Sequence, residues 1–373
     1  MRPSSSEPAQ RRRPKPVRGA ADRADFAACA EAIRHGSHSF HAAGKFLPQR
    51  LRLPSHAIYA FCRLADDAVD ETDLPLDDAV ARLRVRLDRA YQGRPLDIAA
   101  DRAFARTVEA FEMPRTLPEA LIEGLAWDAD GRRYATLSEL NAYAARVAGA
   151  VGGMMAVLLG ERSAEMLARA CDLGVAMQLT NIARDVGEDA RRGRVYLPLD
   201  WLEKAGIDPE RLIAAPAPSP QLAAVLKALL AEADKLYIRA EAGIARLPKD
   251  CRPAIFAARF LYAEIGHEVA RRGYDSITGR AVVSKARKRL IVLRALAAAA
   301  APLPRAWALF KPALSETRYL VDAAALSAEP EPRPSALAVA NATAPSDGLA
   351  GIFATLAMRD RLDRRAPPTY VTE

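Results

Sequence analysis

The sequence has few cysteines, no long apolar run and no glycine-rich nucleotide motif, and each absence excludes a class of protein. Its 4 cysteines are scattered without CxxC spacing, which argues against a disulfide framework and against a cysteine-based zinc site. No run of about 18 apolar residues is present, so no membrane span is predicted. Neither GxxxxGK(S/T) nor a strand followed by GxGxxG occurs, which argues against a nucleotide ligand.

A basic arm at residues 1–24 carries most of the net charge of +8. The arm holds seven Lys/Arg and two acidic residues, a contribution of +5, which leaves an ordinary +3 for the rest of the chain. Its Pro/Arg/Ser composition is typical of a disordered, solubilising segment, and contact with RNA or anionic lipid is the less favoured alternative. Because the arm lacks the apolar core of a secretory signal, we expect a cytoplasmic protein.

Helical periodicity dominates the chain between residues 25 and 300, and strand-like alternation is absent. Long Ala/Leu/Arg-rich segments are separated by Pro and Gly punctuation such as QGRPLD and FEMPRTLP. This pattern predicts an all-α domain, a single bundle of roughly ten helices over 25–300. Residues 301–373 read as a low-complexity tail with one short helix in LAGIFATLAMRDRL, and both a lipid contact and disorder are open for it.

The first candidate site is YAFCRLADDAVDE, which places acidic residues in an otherwise apolar helical run. The polar residues that share one face, within about 60° on a helical wheel, are Tyr59, Arg63, Asp66 and Asp70. Two carboxylates one helical turn apart repel each other, so a cation is expected nearby.

The second candidate site is MQLTNIARDVGEDARRGRVYLP. Its polar residues within roughly 80° of one another are Gln178, Asn181, Asp185 and Asp189. A single pair of this kind is most simply a solvated helix face. Two pairs in long apolar helices favour a site, because burial of unpaired carboxylates costs several kcal/mol per ion. We therefore predict that the two helices face each other across a central cavity that holds cations.

The ligand set predicts the metal and the substrate class. Carboxylate oxygens without His or Cys favour Mg²⁺, with Mn²⁺ as a candidate substitute, and Mg²⁺ commonly bridges a few carboxylates to substrate phosphates. A diphosphate on an apolar chain is the predicted ligand. Arg63 and Arg194 with Tyr196 are candidates for the phosphate oxygens that the metals leave free.

Five stretches together resemble the squalene/phytoene synthase family over about residues 26–290: SFHAAGKFLP, AIYAFCRLADDAVDE, YAARVAGAVGGMM, MQLTNIARDVGEDARRGRVYLP and LYAEIGHEVARRGYD. The resemblance implies the all-α isoprenoid synthase fold. It also implies head-to-head condensation of two geranylgeranyl diphosphates, through prephytoene diphosphate, to phytoene with release of diphosphate. A presqualene or dehydrosqualene synthase acting on farnesyl diphosphate is the alternative. A helical membrane- or RNA-surface binding module is the non-enzyme alternative, and it leaves the paired aspartates unexplained.

The resemblance also assigns roles to individual residues. It implies metal binding by the four aspartates that the helical wheel selects. Implied diphosphate contacts are Ser39, Tyr59, Arg63, Gln178, Asn181, Arg194 and Tyr262, with Arg280 and Lys288 as weaker matches. Tyr143 matches the family's tyrosine beside the reacting carbons, proposed there to assist proton loss. Arg184 matches as well, but the wheel turns it about 100° off the polar stripe.

The stretch ARVAGAVGGMMAVLLG is the predicted apolar wall for a polyprenyl chain. The small residues expected to admit the chain are Ala148, Val151 and Gly152, and the expected apolar lining is Met154, Met155 and Leu158. A close helix crossing for the glycines and a core position for the two methionines are equally open.

Two departures from squalene synthases favour the carotenoid branch. Val69 stands where squalene synthases have an acidic residue, and the carboxy-terminal membrane anchor of the eukaryotic enzymes is not found. With no nicotinamide fingerprint, a reaction without NAD(P)H is expected. Because the substrates and product are lipids, peripheral contact with the inner face of the membrane is open; no nucleic-acid partner is expected and no protein partner is predicted.

Overall fold

The computed structural model describes residues 20–36, 44, 46–70, 76–301 and 306–326, and the regular structure in these ranges is helical throughout. For 66–70 and a few other residues at helix ends it describes the backbone alone. The α-helices are α1 (Ala20–Gly36), α2 (Gln49–Asp70), α3 (Leu76–Tyr91), α4 (Ala99–Phe111), α5 (Thr116–Ala129), α6 (Leu137–Ala144), α7 (Ala150–Leu158), α8 (Ala164–Arg191), α9 (Leu199–Lys204), α10 (Pro209–Ala214), α11 (Pro220–Ile244), α12 (Arg252–Arg271), α13 (Lys285–Ala300) and α14 (Arg318–Leu326). The all-α prediction is confirmed.

Helix α8 is the central element of the bundle. It has 28 residues and packs against α7, α11, α12 and α14. Ser163 begins it as an N-cap whose hydroxyl accepts a hydrogen bond from the Met166 N–H at 3.3 Å. The helix ends before Gly193, whose φ of +74° turns the chain into the segment that carries Arg194 and Tyr196. The second acidic motif therefore occupies the last turns of the most central helix.

A π-helical turn, Ala145–Gly149, joins α6 to α7, and here the chain crosses α8 at close range. A Cβ atom on Gly152 would lie 2.3 Å from the Ala170 carbonyl oxygen, and one on Gly174 would lie 2.2 Å from the Ala148 carbonyl oxygen. The glycines are therefore needed for the crossing of two backbones, which was one of the two open interpretations.

The predicted lining by Met154 and Leu158 is wrong, because both side chains point into the packed core, where they are 0% and 1% exposed. Met155 faces the cavity as predicted. Met154 lies about 100° from Met155 around the helix axis, and this turn carries its side chain away from the cavity and into the core.

The folded chain extends beyond the predicted limits of 25 and 300. Helix α1 begins at Ala20 and packs on α2 and α4 through a small core that includes Phe26 and Cys29. After α13, the 3₁₀ segments Ala306–Phe310 and Ser315–Thr317 lead into α14, which packs on α5, α7 and α8. Local composition does not reveal this docking, because it depends on distant hydrogen bonds from Arg169.

The predicted short helix in LAGIFATLAMRDRL lies outside the described residues, as does most of the basic arm. Within the described ranges, none of the helices combines the length and the apolar composition needed to cross a membrane.

Candidate active site

A cavity of about 1310 Å³ lies between α2, α7, α8 and α12 and reaches the segment before α13. The predicted site residues that line it are Tyr59, Arg63, Tyr143, Ala148, Val151, Gly152, Gln178, Asn181, Tyr262, Arg280 and Lys288. Eleven residues chosen from separate stretches of sequence therefore meet around one space. The cavity lies between the two helices that carry the acidic motifs, and its predicted occupation by cations stays a prediction.

The cavity wall changes character along α8. The first lining residues of the helix, from Met166 to Met177, are mostly apolar, whereas Gln178, Asn181 and Arg184 are polar. At 1.5 Å rise per residue, the lining from Met166 to Arg184 runs along about 27 Å of helix. Such a wall suits an elongated ligand with an apolar chain and a polar head.

Asp185 lies at the polar end and is held by two arginines. Arg184 Nε donates to its carboxylate at 2.7 Å, and Arg280 donates through Nε and Nη2 at 2.9 and 3.0 Å. Burial alone would raise the pKa of Asp185, but the hydrogen bonds and positive charges of Arg184 and Arg280 outweigh burial and lower it. The carboxylate is therefore ionised, and both arginines that neutralise it also line the cavity.

Arg280 reaches Asp185 because its loop docks on α8. The Gly187 N–H donates to the Ser276 carbonyl at 3.0 Å, and the Ser276 hydroxyl donates to the Ala183 carbonyl at 2.7 Å. A Cβ atom on Gly187 would lie 2.7 Å from the Ile277 Cα and 2.7 Å from the Ser276 oxygen. The glycine inside the acidic motif therefore lets a distant loop bring a cation to it.

Asp189 is less well compensated than Asp185. Its burial and the negative charges of Asp185 and Glu188 raise its pKa to about 7, against a smaller opposite effect of Arg194. Arg194 follows the helix, and its backbone N–H donates to the Asp189 carbonyl at 2.9 Å. The predicted pair on α8 thus consists of one ionised carboxylate and one that loses its proton only near neutral pH.

The first acidic motif is described only in part. Asp66 and Asp70 lie in the last turns of α2, but their side chains are outside the described residues, as is all of Ser39. Among the side chains that the structure does describe, no three His, Cys, Asp or Glu groups form a metal cluster. The four-aspartate set stays a prediction, since half of it lies on those undescribed side chains.

A hydrogen-bonded group of tyrosines borders the cavity around Asp128. The Tyr143 hydroxyl donates to Asp128 Oδ2 at 2.7 Å, and the Tyr196 hydroxyl donates to Asp128 Oδ1 at 2.8 Å. The two rings stack on each other with centroids 5.4 Å apart, and Tyr134 stacks on both. The Tyr196 hydroxyl therefore binds Asp128, whereas the sequence had suggested that Tyr196 contacts a phosphate oxygen.

Burial and the adjacent charge of Asp128 raise the pKa of Tyr143 well above its ordinary value. Tyr143 is therefore a neutral phenol at physiological pH, and its proton lies on the bond to Asp128. Tyr262, also buried at the cavity, has its pKa raised to about 12 by burial, with a partial opposite effect from Arg184. Both phenols offer hydrogen bonds without offering charge.

Sequence reasoning missed Asp128 and underrated Arg184. Asp128 lies in the last turn of α5, where a carboxylate opposes the helix dipole, and that unfavourable position was the available signal. Arg184 was set aside because its Cα points about 100° off the stripe, yet its long side chain folds back onto the neighbouring Asp185.

The sequence profile of squalene/phytoene synthases matches residues 33–287 of the chain. A phytoene synthase of Rhodobacter capsulatus is 55% identical over 309 residues, in an alignment that covers 81% of this chain and 90% of the relative. A 15-cis-phytoene synthase of Paracoccus sp. is 44% identical over 269 residues and covers 69% of this chain and 86% of the relative.

Among solved structures, a dehydrosqualene synthase in complex with a ligand superposes with a TM-score of 0.68 at 33% sequence identity, over 74% of this chain and 96% of that one. The fold that the motifs implied is therefore confirmed. With a family profile that spans more than half of the sequence and relatives this similar, the chain belongs to the squalene/phytoene synthase family.

Proposed function

We propose that this protein condenses two molecules of geranylgeranyl diphosphate head to head, through prephytoene diphosphate, to phytoene with release of diphosphate. The observation that carries the proposal is the cavity itself, whose wall joins a cationic end to a long apolar stretch of α7 and α8. The relatives that are 55% and 44% identical are phytoene synthases, which supports the same reaction.

The polar end fits Mg²⁺ as the cofactor, and Mn²⁺ as its substitute. Its described acidic ligands, Asp185 and Asp189, offer only carboxylate oxygens, and Asn181 Oδ1 is buried without a hydrogen-bond partner among the described residues. These are hard oxygen donors of the kind that Mg²⁺ prefers. With Asp66 and Asp70, these residues would hold the metal, and bound Mg²⁺ would offset the charge that develops on the leaving diphosphate.

The cations of the wall bind the remaining phosphate oxygens in this proposal. Arg63, Arg280 and Lys288 line the cavity from α2, from the loop docked on Gly187 and from α13. Arg280 now neutralises Asp185, so its guanidinium is in place to turn from the carboxylate to an incoming diphosphate. Positive charge fixed before the substrate arrives needs little rearrangement when the C–O bond ionises.

The apolar wall keeps water from the allylic cations. Val151, Met155 and Leu173 line the cavity, and Gly152 allows α7 to approach α8 so that no gap opens between them. A cation enclosed by such side chains reacts with its prenyl partner before it meets water.

Tyr143 and Asp128 are proposed to take the proton that leaves in the final step. Tyr143 is too weak an acid to act as a preformed phenolate. Its hydroxyl oxygen can instead accept a proton while its own proton passes to Asp128 along the 2.7 Å hydrogen bond. A final proton loss leaves a central double bond and consumes no NAD(P)H.

Dehydrosqualene formation from farnesyl diphosphate is the second candidate. It is favoured by one observation, the superposition on a dehydrosqualene synthase at 33% identity. Both reactions use the same polar end, and they differ in the length of chain that the apolar wall accepts.

The test incubates the purified full chain with geranylgeranyl or farnesyl diphosphate, with and without Mg²⁺ and NADPH, and identifies the extracted lipid. We expect phytoene from the C20 substrate, dependent on Mg²⁺ and unchanged by NADPH. Squalene formed only with NADPH, or an accumulated cyclopropyl diphosphate, would contradict the proposal. Dehydrosqualene as the main product would instead establish the second candidate.

The proposed place of work is the cytoplasm beside the inner face of the membrane. Substrates with C20 chains partition into lipid, and so does the hydrocarbon product. An enzyme that takes its substrate from the bilayer needs contact with lipid but no membrane span.

A further inference from the structure

Helix α13 carries exposed apolar side chains next to the cavity. Leu290 is 64% exposed and Leu293 is 55% exposed, and Val282, just before the helix, is 70% exposed. Single exposed apolar residues are ordinary on protein surfaces. Three in one short stretch of chain are a feature that needs a physical reason.

The exposed apolar residues of α13 form a continuous strip. The members, which fall within about 60° on a helical wheel, are Ala286, Leu290, Leu293 and Ala297. The buried residues Ile291, Val292 and Ala295 lie on the opposite side, where α13 packs on α12. The helix therefore has two apolar faces, and the described part of the bundle covers only one of them.

Charge borders this apolar strip on both sides. Helix α13 contains no acidic residue and has five basic ones. On the wheel, Arg289 lies about 40° from Leu293 on one edge, and Arg294 lies about 40° from Leu290 on the other, where its guanidinium covers the Phe260 ring of α12 at 4.3 Å. An apolar strip between arginines matches the boundary of an anionic bilayer, where acyl chains meet negative headgroups.

The strip also begins at the rim of the cavity. Val282, Lys285, Ala286 and Lys288 line the cavity, and Val282 and Ala286 are exposed as well. A surface that covered the strip would therefore meet the cavity wall directly. A prenyl chain moving between the two would not have to cross water.

We propose that the apolar strip of α13, bordered by Arg289, docks on the surface of an anionic phospholipid bilayer. The docked helix lies in the plane of the interface and does not span it. This assignment goes beyond the proposed reaction, and it rests on that reaction only for the reason why the cavity should open toward lipid.

Vesicle co-sedimentation of the full chain, without substrate, tests the surface. We expect binding to vesicles of phosphatidylcholine with phosphatidylglycerol, weaker binding to phosphatidylcholine alone, and a loss of affinity as salt is raised. Leu290→Ser with Leu293→Ser should weaken binding roughly ten- to a hundredfold. Arg289→Gln should weaken it about fivefold on the anionic vesicles.

The matched control is Val85→Ser. Val85 is 53% exposed, like Leu293, but no other large apolar side chain described in α3 is exposed, so its variant should bind vesicles as the wild type does. Because all these positions are exposed, each variant should keep the wild-type melting temperature and its activity on detergent-dispersed substrate.

Failure of the wild type to bind the anionic vesicles would overturn the proposal, as would unchanged binding of the double leucine variant. Sedimentation velocity tests the other occupant of the strip, a second copy of the chain. A dimeric wild type and a monomeric double leucine variant, with no vesicle binding by the wild type, would make the strip an interface between copies. Vesicle binding without product formation would refute the proposed reaction and leave the surface standing. Product formation in detergent without vesicle binding would refute the proposed surface and leave the proposed reaction standing.

Discussion

Two aspartates of α8, Asp172 and Asp185, each contact two arginines. The two clusters differ in their burial and in what else the arginines contact. Asp172 is 0% exposed, with Arg169 Nε at 2.7 Å and Arg239 Nε at 2.9 Å. Arg169 also donates to the carbonyls of Leu309 and Lys311 at 3.0 and 2.9 Å. This buried cluster fastens the segment after α13 to the core.

Asp185 has the same partners by residue type and a different setting. Its Arg280 is 54% exposed, whereas Arg169 of the Asp172 cluster is 1% exposed. Burial raises the pKa of Asp172 against its two arginines, whereas the arginines of Asp185 outweigh burial and lower its pKa. The Asp172 cluster is thus structural, because backbone carbonyls accept the remaining hydrogen bonds of Arg169. The Asp185 cluster is available for chemistry, because the exposed Arg280 can move from the carboxylate to a bound ligand.

The largest expected effect is a loss of turnover when the Asp185 cluster is changed. Asp185→Asn should lower kcat by about 10³-fold, because it removes a metal ligand and a charge that positions Arg280. Its melting temperature should fall only modestly, because Arg280 is 54% exposed and water can replace the lost carboxylate there. Steady-state product formation and a melting curve measure the two effects, and near-normal turnover would contradict the metal assignment.

A change in the buried Asp172 cluster should show the opposite pattern, a loss of stability without a loss of turnover. Asp172→Asn leaves Arg169 and Arg239 without their buried anion and should cost about 3 kcal/mol of folding free energy. Urea unfolding measures this loss. Turnover per folded molecule, at a temperature where the variant is folded, should stay near the wild-type value; an inactive but stable protein would erase the distinction between the clusters.

Docking of the Arg280 loop can be broken without a change of charge. Gly187→Ala puts a methyl group 2.7 Å from backbone atoms of Ser276 and Ile277, so the loop must move. We expect about a tenfold loss of kcat and about 1 to 2 kcal/mol of stability. The control is Gly266→Ala, whose nearest contact is the flexible Leu230 side chain at 3.0 Å, and equal losses in both variants would refute the docking argument.

The smallest expected effect is a pH dependence of metal binding at Asp189. Its pKa of about 7 means that a proton must leave before the carboxylate can bind a cation, so affinity rises with pH and levels off above the pKa. Between pH 7.5 and 6.5 the ionised fraction falls about threefold, and Mg²⁺ affinity should fall with it. An affinity that rose on acidification would contradict the sign of this effect.

Helical periodicity was sufficient to predict the parts of the site that lie on one face of one element. Gln178, Asn181 and Asp185 repeat at intervals of three and four residues, so the wheel groups them without knowledge of the fold. A second stripe of this kind on another apolar helix was the basis for predicting a cavity between the two helices.

What the sequence could not reveal depends on contacts between distant segments. Arg280 meets Asp185 only because Gly187 admits the loop around Ser276, and Arg169 meets the carbonyls near Lys311 only once the bundle has formed. Asp128 was missed because its two tyrosine partners come from α6 and from the segment after α8.

Direct Mg²⁺ binding in the presence of inorganic diphosphate, measured by calorimetry without turnover, tests the central claim that the open end of α8 is the metal and diphosphate site. The account predicts that Asp185→Asn weakens Mg²⁺ binding by about tenfold or more, whereas folded Asp172→Asn binds as the wild type does. Equal affinities for the wild type and Asp185→Asn would contradict it.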